Sequence, residues 1–416
     1  MMKETNPLLF ISYFYGVMGC CPAEWADDKI EALKQLDRKV ILVSSLMSKK
    51  CETPGVKHFR VPSLSWYDVK IEVNHLKNEG MPIPYLKLIL TFPFIITIGV
   101  ALDLLQKVLT SGLGGGKWSW AVSSFACSFS LKLAYRCKEV FTTGGPACAH
   151  FTGFLLKFLT GGRLICELQD PLTGKDIGRN KNSRSLLGKI EHLLAKYADK
   201  LVFVTKSAAK EAKENNPTFA HKISAIYPGS RRFEAKEQAE RDSETALEII
   251  HLGTLYTTRN LYTLIDAIDQ LIEEGKIGEN AVKIVNLGDI YGEMREHHLK
   301  REYVSQLPIK PRQEAIKFAS SKKISLLVQH ADDRSQTTIP YKTYDYMNIG
   351  NPILGLTNSD ELSELLTSNG HLSVDIRNVE AIKEQICALV EDYQEFSAKA
   401  KEISIDINKQ TAEMLN

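Results

Sequence analysis

What most restricts the fold of this chain is a recurring punctuation: a short apolar run, a glycine, then a helical pattern. Residues 7–15 are apolar and aromatic and lead into Gly16 and Gly19, 139–142 (EVFT) into Gly144, Gly145 and Pro146, 248–252 (EIIHL) into Gly253, and 282–287 (VKIVNL) into Gly288. Such runs have strand length, and the segments between them carry apolar residues at helical spacing, as Trp25, Ile30 and Leu33 do within 23–36. Glycine at a strand end admits backbone conformations and close approaches that a Cβ would block. Two successive series of this kind predict an α/β protein with two doubly wound parallel sheets.

The size fits that reading. With 416 residues, 44% hydrophobic and 25% charged, the chain has material for two or three soluble globular domains. The polar run 230–245 (SRRFEAKEQAERDSET) reads as a hinge. It separates an N-terminal domain, 1–235, from a C-terminal domain, 236–395, and a helical tail, 396–416, is expected to pack back on the first domain. The cysteines are scattered, with Cys20 and Cys21 adjacent, which argues for a reducing compartment and against a disulfide framework or a zinc site. The N-terminus, MMKETNPLLFISYFYG, reads as a first strand rather than a signal peptide.

Charge divides the chain. Residues 1–235 hold 32 Lys+Arg against 20 Asp+Glu, net +12, and the remainder holds 20 against 30, net −10, which sum to the overall +2. A basic half suits an anionic membrane surface or a phosphate-rich partner. Nucleic acid is not expected, because the basic residues are dispersed and no recognisable nucleic-acid module appears. The most apolar stretch, 85–105, has fifteen uncharged residues between Lys87 and Asp103, interrupted by Pro93. That is short of the ~20 apolar residues of a spanning helix. A buried or crossover helix, an interfacial segment and a spanning helix all stay open. Glycines 114–116 followed by Lys117, Trp118 and Trp120 read as a loop with interface-type or core aromatics.

Two places concentrate candidate chemistry. The strand 163–168 (RLICEL) runs into Gln169, Asp170 and Pro171, so Asp170 stands where a parallel sheet presents functional groups, although a turn aspartate before proline fits equally. In 339–365, a helix starting after Pro340 and stopping before Gly350 would carry Lys342 and Asp345 on one face. Read alone, that is as easily an ordinary surface helix. His150 and His251 read as structural histidines.

Taken in order, these pieces resemble the retaining GT-B glycosyltransferases of the family 4 or group 1 type. The matching segments are TGGPACAHFTGFLLKFLTGGRLICELQDP in the first half, then HLGTLYTTRNLYTLIDAI, VNLGD and IPYKTYDYMNIGNPILGL in the second. The resemblance implies two facing Rossmann-like domains, an N-terminal one for the acceptor and a C-terminal one for a nucleotide-sugar donor. By the same resemblance, Gly19 approaches the donor phosphates and the acceptor, and Asp170 contacts the donor sugar as the catalytic residue. Arg259 and Lys342 neutralise the diphosphate, Asp345 hydrogen-bonds the ribose, and Gly253 and Gly288 line the donor loops. No metal or further cofactor is implied.

The pattern is incomplete: the family's first glutamate falls on Thr337, and the second is shortened to Asp345. The expected activity is transfer of a hexosyl group to a glycan or lipid-linked acceptor in cell-surface polysaccharide synthesis, with retention of configuration. The expected location is cytoplasmic, with peripheral contact at the inner face of the membrane. A nucleotide-sugar epimerase and a non-catalytic GT-B scaffold are the open alternatives.

Overall fold

A computed structural model describes residues 6–109, 117–174, 181–232, 246–400 and 405–416. Most of the hinge run, 233–245, and the glycines 114–116 lie outside the described residues. The chain forms two compact units, Met1–Pro228 with Ile407–Asn416, and Gly229–Asp406.

The first unit is built on seven parallel strands: β1 (Leu8–Ile11), β2 (Val40–Ser45), β3 (Val56–Val61), β4 (Glu139–Gly144), β5 (Arg163–Leu168), β6 (Lys200–Phe203) and β7 (Ile223–Ala225). Their spatial order is β3-β2-β1-β4-β5-β6-β7. The second has six: β8 (Leu247–Leu252), β9 (Val282–Leu287), β10 (Val304–Leu307), β11 (Ile324–Val328), β12 (Ile353–Leu356) and β13 (Leu372–Val374), ordered β10-β9-β8-β11-β12-β13. All pairings are parallel. In each sheet the order reverses beside the first strand, at β1/β4 and at β8/β11, and such a switch point opens a crevice beyond the carboxyl strand ends. These are the two Rossmann-like domains of a GT-B protein.

The central strands are continuously apolar because both of their faces are covered. β1 (LLFI) is wholly buried, and so are β2 (VILVSS) and β11 (ISLLV). Helices close over them with compact seams. On the helix Ala147–Thr160, a Cβ at Gly153 would come within 2.5 Å of Thr142 Cγ2 and 2.9 Å of Leu164 Cδ1, so helix and sheet can approach only through glycine. Trp120, left open between loop and core, is core: it is fully buried and donates its indole N–H to Val61 O at 3.2 Å.

Elsewhere the structure corrects the sequence expectations. β3 (VKHFRV) alternates too weakly in hydropathy to announce itself, and the helix that follows, Trp66–Asn78, is largely polar. A short helix, Met294–Leu299, precedes the edge strand β10, which the sequence gives little signal for. The C-terminal part holds the helices Val379–Glu391, Tyr393–Lys399 and Ile407–Leu415; residues 401–404 of the tail expected over 396–416 lie outside the described residues. Residues 85–105 belong to a helix, Tyr85–Leu109, that runs through Pro93. It is not a buried core helix: only 11% of its most apolar window is covered.

The last helix, Ile407–Leu415, belongs to the first unit. Lys29 ties it there: its ammonium lies 3.3 Å from Met414 Sδ and 3.0 Å from Glu167 Oε1, with both charged side chains fully buried. Thr143 donates to the other oxygen of Glu167 at 2.6 Å, and Lys200 donates to Glu413 O at 2.6 Å. Removing one partner of a buried ion pair strands the other charge and typically costs about 3–5 kcal/mol. Glu167→Ala is therefore expected to lower unfolding stability by about that amount, and Lys29→Met with Glu167→Leu together to cost clearly less. Urea unfolding of the three proteins measures this, and equal losses in the single and double variants would contradict the buried-pair account.

Candidate active site

The second unit gathers its polar side chains at the carboxyl end of β8. The strand's last residues, His251 and Leu252, meet the start of the helix Lys342–Ile349. Lys342 Nζ donates to His251 Nε2 at 2.6 Å and to Leu252 O at 2.8 Å. From the same helix, Tyr346 OH accepts the Leu252 N–H at 2.8 Å. On its other side the His251 ring meets Asn286 Oδ1 at 2.6 Å through Nδ1, and the Asn286 amide donates to Gly288 O at 2.9 Å. These contacts require one tautomer. An ammonium can donate only to an unprotonated Nε2, so the proton sits on Nδ1 and is donated to Asn286. Burial, then the Lys342 charge, hold the His251 pKa well below the ordinary histidine value.

The glycine loops around this row interlock. Gly253 and Gly288 both have positive φ, at 110° and 148°, and a Cβ on Gly288 would stand 2.3 Å from Gly253 O. Gly253 N–H donates to Leu287 O at 2.9 Å, and Leu255 N–H to Asp289 O at 2.9 Å. The two turns thus advance together beyond the sheet. Arg259, further along the β8 loop, donates to Thr254 O at 2.9 Å and lies 4.7 Å from the Tyr256 ring centre. Tyr256 in turn lies nearly parallel to Tyr291 and to His330, at 6.3 and 6.4 Å. Two lysine and arginine cations, paired backbone turns and a row of rings therefore occupy the strand ends at the switch point.

Asp345 adds a constraint that its sequence could not disclose. Arg312 grips it through two hydrogen bonds, Nε to Oδ2 at 3.1 Å and Nη2 to Oδ1 at 2.6 Å, with both side chains nearly buried. The arginine also lies 4.9 Å from the Tyr341 ring centre. Arg312 opens the helix Arg312–Ser320, and a pairing with a residue 33 positions away has no local signal. Thr337 closes a short turn, Asp333–Thr337, preceded by Asp332, which pairs with Arg334 at 2.6 Å.

In the first unit, Gly19 lies in the loop after β1 with φ of 68°. Asp170 follows β5 with an exposed side chain, and its Oδ2 is 3.7 Å from where a Cβ on Gly145 would stand. His150 is structural: its Nδ1 accepts from Thr142 at 2.8 Å, its Nε2 donates to Gly144 O at 3.1 Å, and burial pushes its pKa down to about 4. A cavity of about 470 Å³ opens near Thr173, Glu191 and His192, whose polar groups bond to one another or to Asn216. Among the described residues, no three or more His, Cys, Asp or Glu gather where they could hold a metal ion.

The chain matches no protein-family profile and no curated protein sequence. Its fold is found among solved structures. Anabaena HepE in complex with UDP-glucose superposes with a TM-score of 0.63 at 12% identity, covering 98% of this chain and 99% of the other. TarM does so at 0.64 and 10% identity over the whole of both chains, and sucrose-phosphate synthase of Thermosynechococcus elongatus at 0.62 and 11%, covering 99% and 95%.

The tautomer assignment carries a pH consequence. A histidine whose folded pKa lies below its unfolded value of ~6.5 contributes stability that is fully present above that pH and is lost progressively as pH falls from there through the folded pKa. Histidine NMR across pH 7.5 to 5 is expected to keep His251 neutral with the proton on Nδ1. Titration of His251 near its ordinary pKa would contradict the lysine contact.

Proposed function

We propose that the chain is a glycosyltransferase that takes a sugar from a nucleotide-sugar donor and passes it to a glycan or lipid-linked acceptor in polysaccharide synthesis. The observation that carries this reading is the placement of Lys342 at the end of β8, hydrogen-bonded to His251 and Leu252 O, beside Arg259 and the interlocked turns at Gly253 and Gly288. The leaving group of such a reaction is a nucleoside diphosphate whose negative charge grows as the glycosidic bond breaks. Fixed cations and backbone N–H groups aimed at that charge supply the largest stabilisation available there. The neutral His251 suits the task, because it orients the lysine without adding a second charge.

The solved relatives support a donor of this class: HepE is seen with UDP-glucose and with UDP, and other proteins of the same fold are named for sugar-phosphate synthesis. In this reading the second unit binds the donor, with Lys342 and Arg259 at the diphosphate. Asp345 serves the ribose while Arg312 fixes its carboxylate in place. The first unit binds the acceptor, with Gly19 and Asp170 at its strand ends and Asp170 as the carboxylate at the reacting sugar. Transfer of a hexosyl group proceeds with retention, without a metal, in the cytoplasm.

A thermal-shift screen of nucleotide-sugars and nucleoside diphosphates tests the reading, since a ligand that binds the folded state raises its melting point by mass action. At least one UDP-type ligand is expected to do so. Hydrogen bonds to a charged group are worth about 1.5–3 kcal/mol, so Lys342→Ala and Arg259→Ala should each weaken that ligand by ~10–100-fold. Wild-type affinity in both variants would remove the site assignment, and the absence of any shift would remove the transferase reading.

A further inference from the structure

We propose that the helix Tyr85–Leu109 lies in the plane of an anionic lipid bilayer, at the boundary between headgroups and acyl chains, and seats the first unit on that surface. The helix is apolar on nearly all sides, with a mean hydropathy of 2.3 over its most apolar 18 residues, yet it is fastened to the protein along one stripe. Ile95, Gly99 and Gln106 are buried, and Leu88, Thr91, Leu102 and Asp103 are half-buried. Spacings of three and four place these residues on a single face. Gly99 permits the seam, since a Cβ there would meet Leu64 O at 3.1 Å.

Polar tethers hold the helix at both ends. Lys87 donates to Arg60 O at 2.7 Å near its start. Farther along, Asp103 accepts the Tyr67 N–H at 3.2 Å, the Gln106 amide donates to the buried Asp68 at 3.1 Å, and Asn182 donates to Val108 O at 3.2 Å. The fastened stripe from 88 to 106 is about 27 Å long at 1.5 Å per residue. A helix held along that length to one side of a globular unit cannot stand across a bilayer; it can only lie on one.

What the stripe leaves uncovered is lipid-like. Leu86, Ile89, Leu90, Phe94, Ile96, Val100, Leu104 and Val108 are each at least 58% exposed. At about 100° per residue these eight span roughly 160°, and Phe92, Ile98 and Leu105, which are also exposed, widen the uncovered apolar arc to roughly 240°. A flat protein face would cover a strip of that surface, whereas a fluid acyl layer covers all of it. Trp66 and Tyr67, on the neighbouring helix, are exposed beside it, with Trp66 6.4 Å from Phe92, the amphipathic aromatics of an interfacial belt. The charge agrees: the half that carries the helix has net +12, and the other half, at net −10, would be repelled by the same surface.

The test is co-sedimentation of the full chain with vesicles of phosphatidylcholine containing about a third phosphatidylglycerol, and with phosphatidylcholine alone, without nucleotide. It is therefore independent of the donor reading. The wild type is expected to sediment with the anionic vesicles, more weakly with neutral ones and more weakly in high salt. Replacing Ile89, Leu90, Val100 and Leu104 by Glu, at exposed positions that leave the anchoring stripe intact, should reduce binding about tenfold or more with an unchanged melting point. A dye on Ile96→Cys should be quenched by shallow rather than deep lipid quenchers. Equal sedimentation of the four-site variant, stronger deep quenching, or a dimer that forms through this helix in place of vesicle binding would each overturn the proposal.

Discussion

The contact between Lys342 and His251 organises the second unit. It joins the end of the first strand of the sheet, the helix after the switch point and, through Asn286, the neighbouring strand. Each group fixes the next. The Gly288 carbonyl orients the asparagine amide, the asparagine oxygen sets the imidazole tautomer, and the imidazole leaves Nε2 to receive the ammonium. Buried polar groups cost little only when such a row is complete, and a complete row leaves few alternative geometries. A lysine on an exposed helix start would sample many rotamers; this one is directed to the strand end.

The first unit uses a comparable device for a structural purpose. Lys29 and Glu167 are buried together, and Met414 meets the same lysine, so the last helix of the chain completes the environment of a charge near the first sheet's switch point. The two sheets repeat one topology with different uses for a lysine that each of them holds. One carries its cation to a strand end, and the other uses it to hold the C-terminus.

Much of the fold was legible because both sheets are covered on both faces, which makes their central strands continuous apolar runs closed by glycine. β5 and β9 have the bounds that the sequence suggests, 163–168 and 282–287. The misses fall where that signal fades. β3, β10 and β13 lie at or near sheet edges, with few fully buried residues. The helix Trp66–Asn78 is polar even where it is buried, because two of its buried residues are its own carboxylates, Glu72 and Asp68, held by Ser63 and Gln106. For the candidate site, strand-end punctuation drew attention to Gly253 and Gly288, helical spacing paired Lys342 with Asp345, and Arg259 entered only through the family resemblance. It could not identify His251, which looked like any buried histidine, or Arg312, whose partner Asp345 is remote in sequence. Roles that depend on a neighbour across the fold have no local pattern.

The central claim is that a nucleoside diphosphate is received at Lys342. Its most direct measurement is a titration of UDP into the full chain labelled with 15N at the histidine ring nitrogens. Phosphate that shares the Lys342 ammonium draws it from Nε2, so the His251 ring signals are expected to move saturably while those of His150, buried in the other unit, stay in place. Binding of UDP that leaves His251 unmoved would contradict the account.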